Sequence, residues 1–172
     1  MRSRPGPSGA VAIQSPGAGP HDRSRQWPSC GVTLALMAYD TKIAVVVRED
    51  LAQWQKLNVA CFLAGGLAGS HPEIVGAPYR DASGQVYGPL VRQPMLVFQA
   101  TGDGLAKVRG RAVERGLTVS IYTSALFATG NDRDNRAAVA AVASEALDLV
   151  GLALHAERKA VDKVVRGLAL HP

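Results

Sequence analysis

Aromatic residues and cysteines are scarce in this sequence, and their scarcity excludes two kinds of site. Aromatic residues make up 5% of the chain, which disfavours a stacking platform for single-stranded nucleic acid because such a platform needs exposed rings. Cys30 lies in a polar N-terminal segment and Cys61 in a helix that we predict to be buried, so a disulfide framework is not expected. Cys61 has no Cys or His near it at metal-ligand spacing. We therefore predict no metal site and no cofactor.

Apolar runs of the length that a membrane-spanning helix needs are also missing from the sequence. We expect a cytoplasmic protein without a membrane partner. The formal net charge is +5, but four Arg and one Asp precede Met37, so the 15 basic and 13 acidic residues that remain are close to balance. Because this body shows no basic stripe, tRNA is not an expected partner.

Residues 1–38 differ from the rest of the chain in composition. They are rich in Pro, Gly, Ser and Arg, and such a segment cannot bury enough apolar surface to offset its ordering entropy. We predict a disordered tail. The alternative is that Met37 is the true start and that the residues before it are a misannotated extension. Residues 39–172 are predicted to form a single α/β domain.

Beyond the tail, buried strands alternate with helices. Strands are predicted at "KIAVVV" (42–47), "QPMLVFQA" (93–100), "LTVSIYT" (117–123) and "GLALHA" (151–156). Tyr79 and Tyr87 flank "DASG", a turn signal that predicts a β-hairpin or a loop with a hairpin core. The alternation favours a three-layer α/β/α fold with a four- or five-stranded mixed sheet.

Helical spacing of the apolar residues predicts which face each helix buries. The predicted inward residues are Leu51, Trp54, Leu57 or Asn58, Cys61 and Phe62 in the first helix, Leu105, Val108 and Ala112 in the second, and Val161, Val164, Val165 and Leu168 in the last. Gly116 is predicted to end the second helix. Between these helices an Ala-rich helix is predicted over 132–150.

Three sequence words resemble the archaeal and eukaryotic type of peptidyl-tRNA hydrolase: "VVVREDL", "RGLTVSIYT" and "VDKVVRGLAL". The matching residues are Arg48, Asp50, Leu51, Gly116, Leu117, Val161, Asp162, Lys163 and Val164. The resemblance implies a similar fold from about residue 42 onward. Where those hydrolases carry Gln and His, this chain has Cys61 and Ala64, and where they carry Asp and Thr it has Ser124 and Ala128. The resemblance therefore does not imply the hydrolase reaction.

The words "KLN", "GAPYRDASG" and "TGNDRDN" resemble a bacterial family, domain of unknown function 2000, across roughly residues 42–171. This resemblance implies a fold related to that of the hydrolases, and it indicates where a binding site is expected. It implies no reaction, because the family has no established activity.

Polar residues predicted near strand ends are the candidate ligand-binding residues, since ligands in α/β sheets gather outside the carboxyl ends of strands. They are Lys56, Asn58, Tyr79, Asp81, Ser124, Thr129 and Asn135. Each has a structural alternative: Asp81 as a turn former, Thr129 as a helix cap together with Asp132, and Asn58 as a capping or structural residue. The four histidines are isolated in sequence and are predicted to be surface residues.

The sequence leaves the function class open. We favour a small-ligand-binding or regulatory module whose hydrolase residues are not retained. One alternative is a hydrolase with a remodelled site acting on an ester or amide of an anionic carrier. Another is a structural oligomerising module. A homodimer is predicted under each of these, and no catalytic residue is assigned.

Overall fold

The computed structural model describes residues 39–172, so the predictions for residues 1–38 lie outside the described part. The described residues contain seven strands, in chain order β1 Thr41–Arg48, β2 Tyr79–Arg80, β3 Val86–Tyr87, β4 Met95–Ala100, β5 Ser120–Thr123, β6 Leu149–Glu157 and β7 Ala169–Leu170. Four α-helices lie within the described residues: α1 Gln53–Ser70, α2 Gly102–Val113, α3 Asp132–Ala140 and α4 Arg158–Val164. Short 3-10 turns occupy Pro72–Ile74, Ser124–Ala128 and Ser144–Ala146.

Five of the strands form one mixed sheet in the order β5-β6-β1-β4-β7. β1 and β4 are parallel, whereas β6 is antiparallel to both β1 and β5, and β7 is antiparallel to β4. The predicted mixed sheet is confirmed, and its fifth strand is β7, which the sequence did not predict. β2 and β3 pair separately as the predicted hairpin.

The core lies on both faces of the sheet. One face is covered by α1 and the other by α2 and α4. Successive residues of β1 point to opposite faces of the sheet. Ile43 and Val45 pack towards α1, and Ala44 and Val46 pack towards α2 and α4. This two-sided burial explains why β1 reads as a continuous apolar run. No helix of the described residues is long and apolar enough to cross a membrane.

The prediction of which residues of α1 are buried is wrong. Its buried residues are Val59, Leu63 and Leu67, while Trp54 is 62% and Phe62 59% exposed. Cys61 is also exposed and is not a core thiol. Apolar residues at helical spacing occur on two faces of this helix, so periodicity alone could not tell which face meets the sheet.

The Ala-rich helix is shorter than predicted. α3 ends at Ala140, and β6 begins at Leu149, where we had expected helix. Leu149 pairs with Thr123 of β5, and both Leu149 and Val150 are buried. Strand pairing and burial therefore override the helix propensity of this segment. The predicted burial of Leu105, Val108 and Ala112 in α2 is confirmed.

Candidate functional site

A cleft of about 480 Å³ lies beyond the carboxyl end of β5. The first half of α1 forms one wall, and the 3-10 turn Ser124–Ala128 with the start of α3 forms the other. The position agrees with the expectation that ligands gather outside strand ends.

Aromatic side chains form the apolar part of the cleft. The ring of Tyr122 lies between those of Phe62 and Phe127, with centroid separations of 5.8 Å and 5.2 Å. Trp54 meets Phe127 edge to face at 5.7 Å. Centroid distances in this range are typical of favourable aromatic pairs. A chain poor in aromatic residues thus gathers four of them around one cavity.

Amide and hydroxyl groups form the polar part of the cleft. The hydroxyl of Tyr122 donates to Oδ1 of Asn58 at 3.1 Å. Oγ1 of Thr129 donates to the carbonyl of Leu126 at 2.9 Å and also contacts the side-chain oxygen of Asn135. Burial raises the pKa of Tyr122, so its hydroxyl keeps its proton and remains a donor at neutral pH. The cleft therefore offers fixed neutral polar groups beside aromatic rings.

Charge in the cleft lining is limited to one carboxylate among the described residues. Asp132 is exposed and pairs with Arg136 at 2.7 Å. Hydrogen bonding to Asp132 raises the pKa of Arg136, which stays charged. A lining without a basic side chain disfavours a strongly anionic ligand.

Three of the predicted site residues meet in this cleft: Asn58, Thr129 and Asn135. Lys56 lies half-buried on α1, outside the cleft lining. Ser124 starts the 3-10 turn, and its backbone N–H donates to the carbonyl of Asp148 at 2.9 Å. Ser124 is likewise outside the lining.

The other two predicted site residues, Tyr79 and Asp81, are exposed in or beside the hairpin and do not line the cleft. Asp81 accepts from the hydroxyl of Tyr87 and from the backbone N–H groups of Ser83 and Gln85, each at 2.9 Å. The Tyr87 hydrogen bond and these turn amides hold the pKa of Asp81 below its ordinary value. These contacts are those of a turn-forming Asp.

The helix cap beside the cleft is Asn131, a residue that we had not considered. Its side chain accepts from the backbone N–H of Asp134 at 3.0 Å and donates to the Asp134 carboxylate at 2.8 Å. The proposed capping by Thr129 or Asp132 is replaced by this arrangement. The aromatic residues were also missed as site residues, because a large ring in sequence looks the same whether it fills the core or lines a cleft.

Removing the cap should destabilise α3 and with it one wall of the cleft. We expect Asn131→Ala to lower the free energy of unfolding by about 1 kcal/mol, because an N-terminal N–H loses its acceptor. Urea unfolding followed by circular dichroism measures this. Asn131→Ser retains a capping oxygen and places no second carboxylate against Asp134, so it should lose less stability than Asn131→Ala. Equal losses in the two variants would show that the amide of Asn131 has a role other than capping.

A basic surface lies away from the cleft, where α2 and α4 end. Its basic residues are Arg111, Arg115, Lys163 and Arg166, around a depression of about 620 Å³. Arg111 donates to the carbonyl of Arg166 at 3.0 Å, and Arg115 donates to that of Arg111 at 2.8 Å. Two of these arginines therefore hydrogen-bond to backbone carbonyls near the helix ends. The sequence, in which no basic stripe is visible, did not predict this local concentration of basic residues, because residues about fifty positions apart converge in it.

Two of the supposedly isolated histidines are neighbours. His71 ends α1, His155 lies in β6, and their ring centroids are 4.7 Å apart. The side chain of His155 is only 8% exposed, contrary to the predicted surface position. Nδ1 of His71 lies 3.1 Å and Nδ1 of His155 3.8 Å from Oε1 of Glu73. Burial, with a smaller effect of His71, lowers the pKa of His155.

Comparison with known proteins identifies a family and a similar solved structure, and both are of unknown function. Residues 41–172 match the family model described as Protein of unknown function (DUF2000). The solved structure of a protein of unknown function, Atu0240 from Agrobacterium tumefaciens str. C58, is similar with a TM-score of 0.76 and 46% sequence identity. That match covers 78% of this chain and 99% of the other. No curated protein matches this sequence.

Proposed function

We propose, for a chain that belongs to the DUF2000 family of proteins of unknown function, that the cleft beyond β5 binds a small neutral or cationic molecule. The observation that carries this proposal is the pairing of aromatic walls with the fixed amide and hydroxyl groups of Asn58, Thr129 and Asn135. Concave sites of this size, mostly apolar with a few convergent polar groups, are typical of small-molecule binding. The protein would act as a binding or regulatory module.

The chemistry of the lining describes the ligand. Trp54 and Phe127 present ring surface to a planar or aliphatic body. Asn58 and Asn135 present amides, which recognise hydroxyl, amide or amine groups. Asp132 is the only charged residue among the described lining residues, and it is paired with Arg136. Because the lining has no basic side chain, we expect a neutral or positive group in preference to a phosphate or carboxylate.

The alternative of a remodelled hydrolase receives less support from the cleft. General acid–base catalysis needs a group that can exchange protons near neutral pH. Of the titratable lining residues, Tyr122 has a raised pKa and Asp132 is exposed and paired with Arg136. A hydrolase reaction stays a prediction, as does descent from the peptidyl-tRNA hydrolase fold, which rests on the three sequence words.

Oligomeric state, source and location also stay predictions: a homodimer, bacterial and cytoplasmic. An apolar surface on the Ala-rich helix would favour an oligomerising role, but α3 ends at Ala140 and this surface is therefore shorter than the predicted helix. The solvent-facing side of α1 offers more apolar surface than α3 does, since Trp54, Leu57 and Phe62 are each about 60% exposed. Light scattering on the purified protein tests the homodimer.

Binding should depend on the cleft residues and not on Lys56. The experiment is a thermal-shift screen of the full chain against neutral, cationic and anionic metabolites, followed by calorimetric titration of any hit. A ligand at about 100 times its dissociation constant stabilises the protein by about 2.7 kcal/mol. We expect hits among neutral or cationic compounds, and we expect Asn135→Ala to weaken their binding at least tenfold.

Lys56→Ala is the matched control, because Lys56 is on α1 beside the cleft but does not line it. It should leave the affinity unchanged. Hits confined to anionic compounds and abolished by Lys56→Ala would contradict the proposal and favour the basic contact predicted from the sequence. The absence of any hit from a folded protein would favour the structural module.

A further inference from the structure

A second cluster of polar side chains lies at the far end of α1 from the cleft. It consists of His71 at the C-cap, Glu73 in the following 3-10 turn, and His155 in β6. One side-chain nitrogen or oxygen from each lies within 4.8 Å of the others. α1 has 18 residues and is therefore about 27 Å long, so this cluster is independent of the proposed ligand cleft.

Two of the three distances in the cluster are close to those between the ligands of a tetrahedral metal ion. With metal–ligand bonds of about 2.0–2.1 Å, neighbouring ligand atoms are about 3.3 Å apart. Oε1 of Glu73 lies 3.1 Å from Nδ1 of His71 and 3.8 Å from Nδ1 of His155. The remaining pair, between the two histidines, lies within 4.8 Å, so side-chain rotation is needed before all three atoms contact one ion.

The surroundings favour a positive charge at this position. The cluster lies at the C-terminal end of α1, where the helix dipole is negative, and the backbone N–H of His71 bonds to the carbonyl of Leu67. The hydrogen bond from its own backbone N–H, followed by the contact with His71, lowers the pKa of Glu73, which is therefore anionic at neutral pH. The two imidazoles face this single carboxylate.

The three side chains differ in exposure. His155 is almost fully buried, its Nδ1 faces Glu73, and its Nε2 has no hydrogen-bond partner among the described residues. A neutral imidazole that binds an ion through Nδ1 carries its proton on Nε2. The side chains of His71 and Glu73 are 33% and 58% exposed, so an ion could enter and water could complete its coordination.

We propose that His71, Glu73 and His155 form a binding site for a divalent transition-metal ion of the zinc class. Two imidazoles and one carboxylate suit Zn²⁺, Co²⁺ or Ni²⁺, and they do not suit Mg²⁺ or Ca²⁺, which prefer oxygen ligands. The ion joins the end of α1 to β6. Three protein ligands leave one position open to water or to a small anion, as in zinc sites that are not purely structural.

The test is titration of the full chain, stripped of metal by a chelator, with Zn²⁺ by calorimetry and with Co²⁺ by visible absorption. We expect one ion per chain, a tetrahedral Co²⁺ spectrum, and a rise in melting temperature with Zn²⁺ but not with Mg²⁺. His71→Gln and Glu73→Gln should each weaken binding at least tenfold. Both residues are at the surface, so these variants should fold even if a change at His155 does not.

His171→Gln is the matched control, since it removes a histidine outside the cluster. It should bind Zn²⁺ like the unaltered chain. Failure of the unaltered chain to bind Zn²⁺ would overturn the proposal and leave the cluster as a histidine–glutamate contact. Zn²⁺ binding that survives both His71→Gln and Glu73→Gln would also overturn it, because the ion would then be held elsewhere in the chain.

Discussion

Gly151→Ala should lower the free energy of unfolding by about 3 kcal/mol, at the upper end of the usual cost of overpacking. Gly151 lies in β6, directly beneath α1. A methyl group at this position would collide with Cγ1 of Val59, and it would lie 3.0 Å from Cδ1 of Leu63 and 3.2 Å from the carbonyl oxygen of Val46. Val59 and Leu63 are themselves buried. The helix would therefore have to move away from the sheet.

Gly65→Ala is the control for this prediction. Gly65 is within α1, and no other group lies within 4 Å of a methyl group placed there. The substitution should stabilise the protein by about 0.5–1 kcal/mol, because alanine loses less backbone entropy in a helix than glycine. Urea unfolding of the two variants measures both effects. A Gly151→Ala variant as stable as the unaltered chain would show that α1 does not pack this closely on β6.

Tyr122→Ala should cost about 3–5 kcal/mol, which is the usual cost of truncating a buried aromatic residue. The residue is 6% exposed, and its ring packs between those of Phe62 and Phe127. Loss of the ring would leave a hole beneath the cleft. Ligand binding at the cleft should disappear together with the stability.

Tyr122→Phe separates the ring from its hydroxyl. This variant keeps the aromatic contacts and removes only the hydrogen bond to Asn58, so we expect a cost of about 0.5–1.5 kcal/mol. Phe62→Ala, at a position 59% exposed, should cost less than about 1 kcal/mol. If Tyr122→Phe were as damaging as Tyr122→Ala, the hydroxyl and not the ring would be the main support of the cleft.

Strands were easier to predict from the sequence than helix faces. β1 is buried on both sides, and its uninterrupted apolar run has few other interpretations. The hairpin was equally clear, because Asp81 forms its turn through contacts within six residues of sequence. β7 was missed because two residues carry no periodicity, and only pairing with β4 defines them as a strand.

The candidate site was predictable only in part. Thr129 and Asn135 were found because they follow a predicted strand, and the carboxyl end of a strand is where ligands gather. The cleft also needs Trp54 and Phe62, which the sequence assigned to the core. Their place on α1 depends on which face of the helix meets the sheet. Which face of α1 packs on the sheet depends on how the side chains of the helix and of the sheet fit together.

By itself, the sequence determined the class of fold, the positions of most strands and the buried face of α2. These depend on local composition and on periodicity, which a single segment contains. Only the tertiary structure decided how α1 is oriented, how the aromatic cleft is formed, and that His71 and His155 meet beside Glu73. Each of these depends on residues far apart in sequence, whose distance is set by packing. Gly151 is the clearest instance, because its missing side chain is what lets α1 approach the sheet.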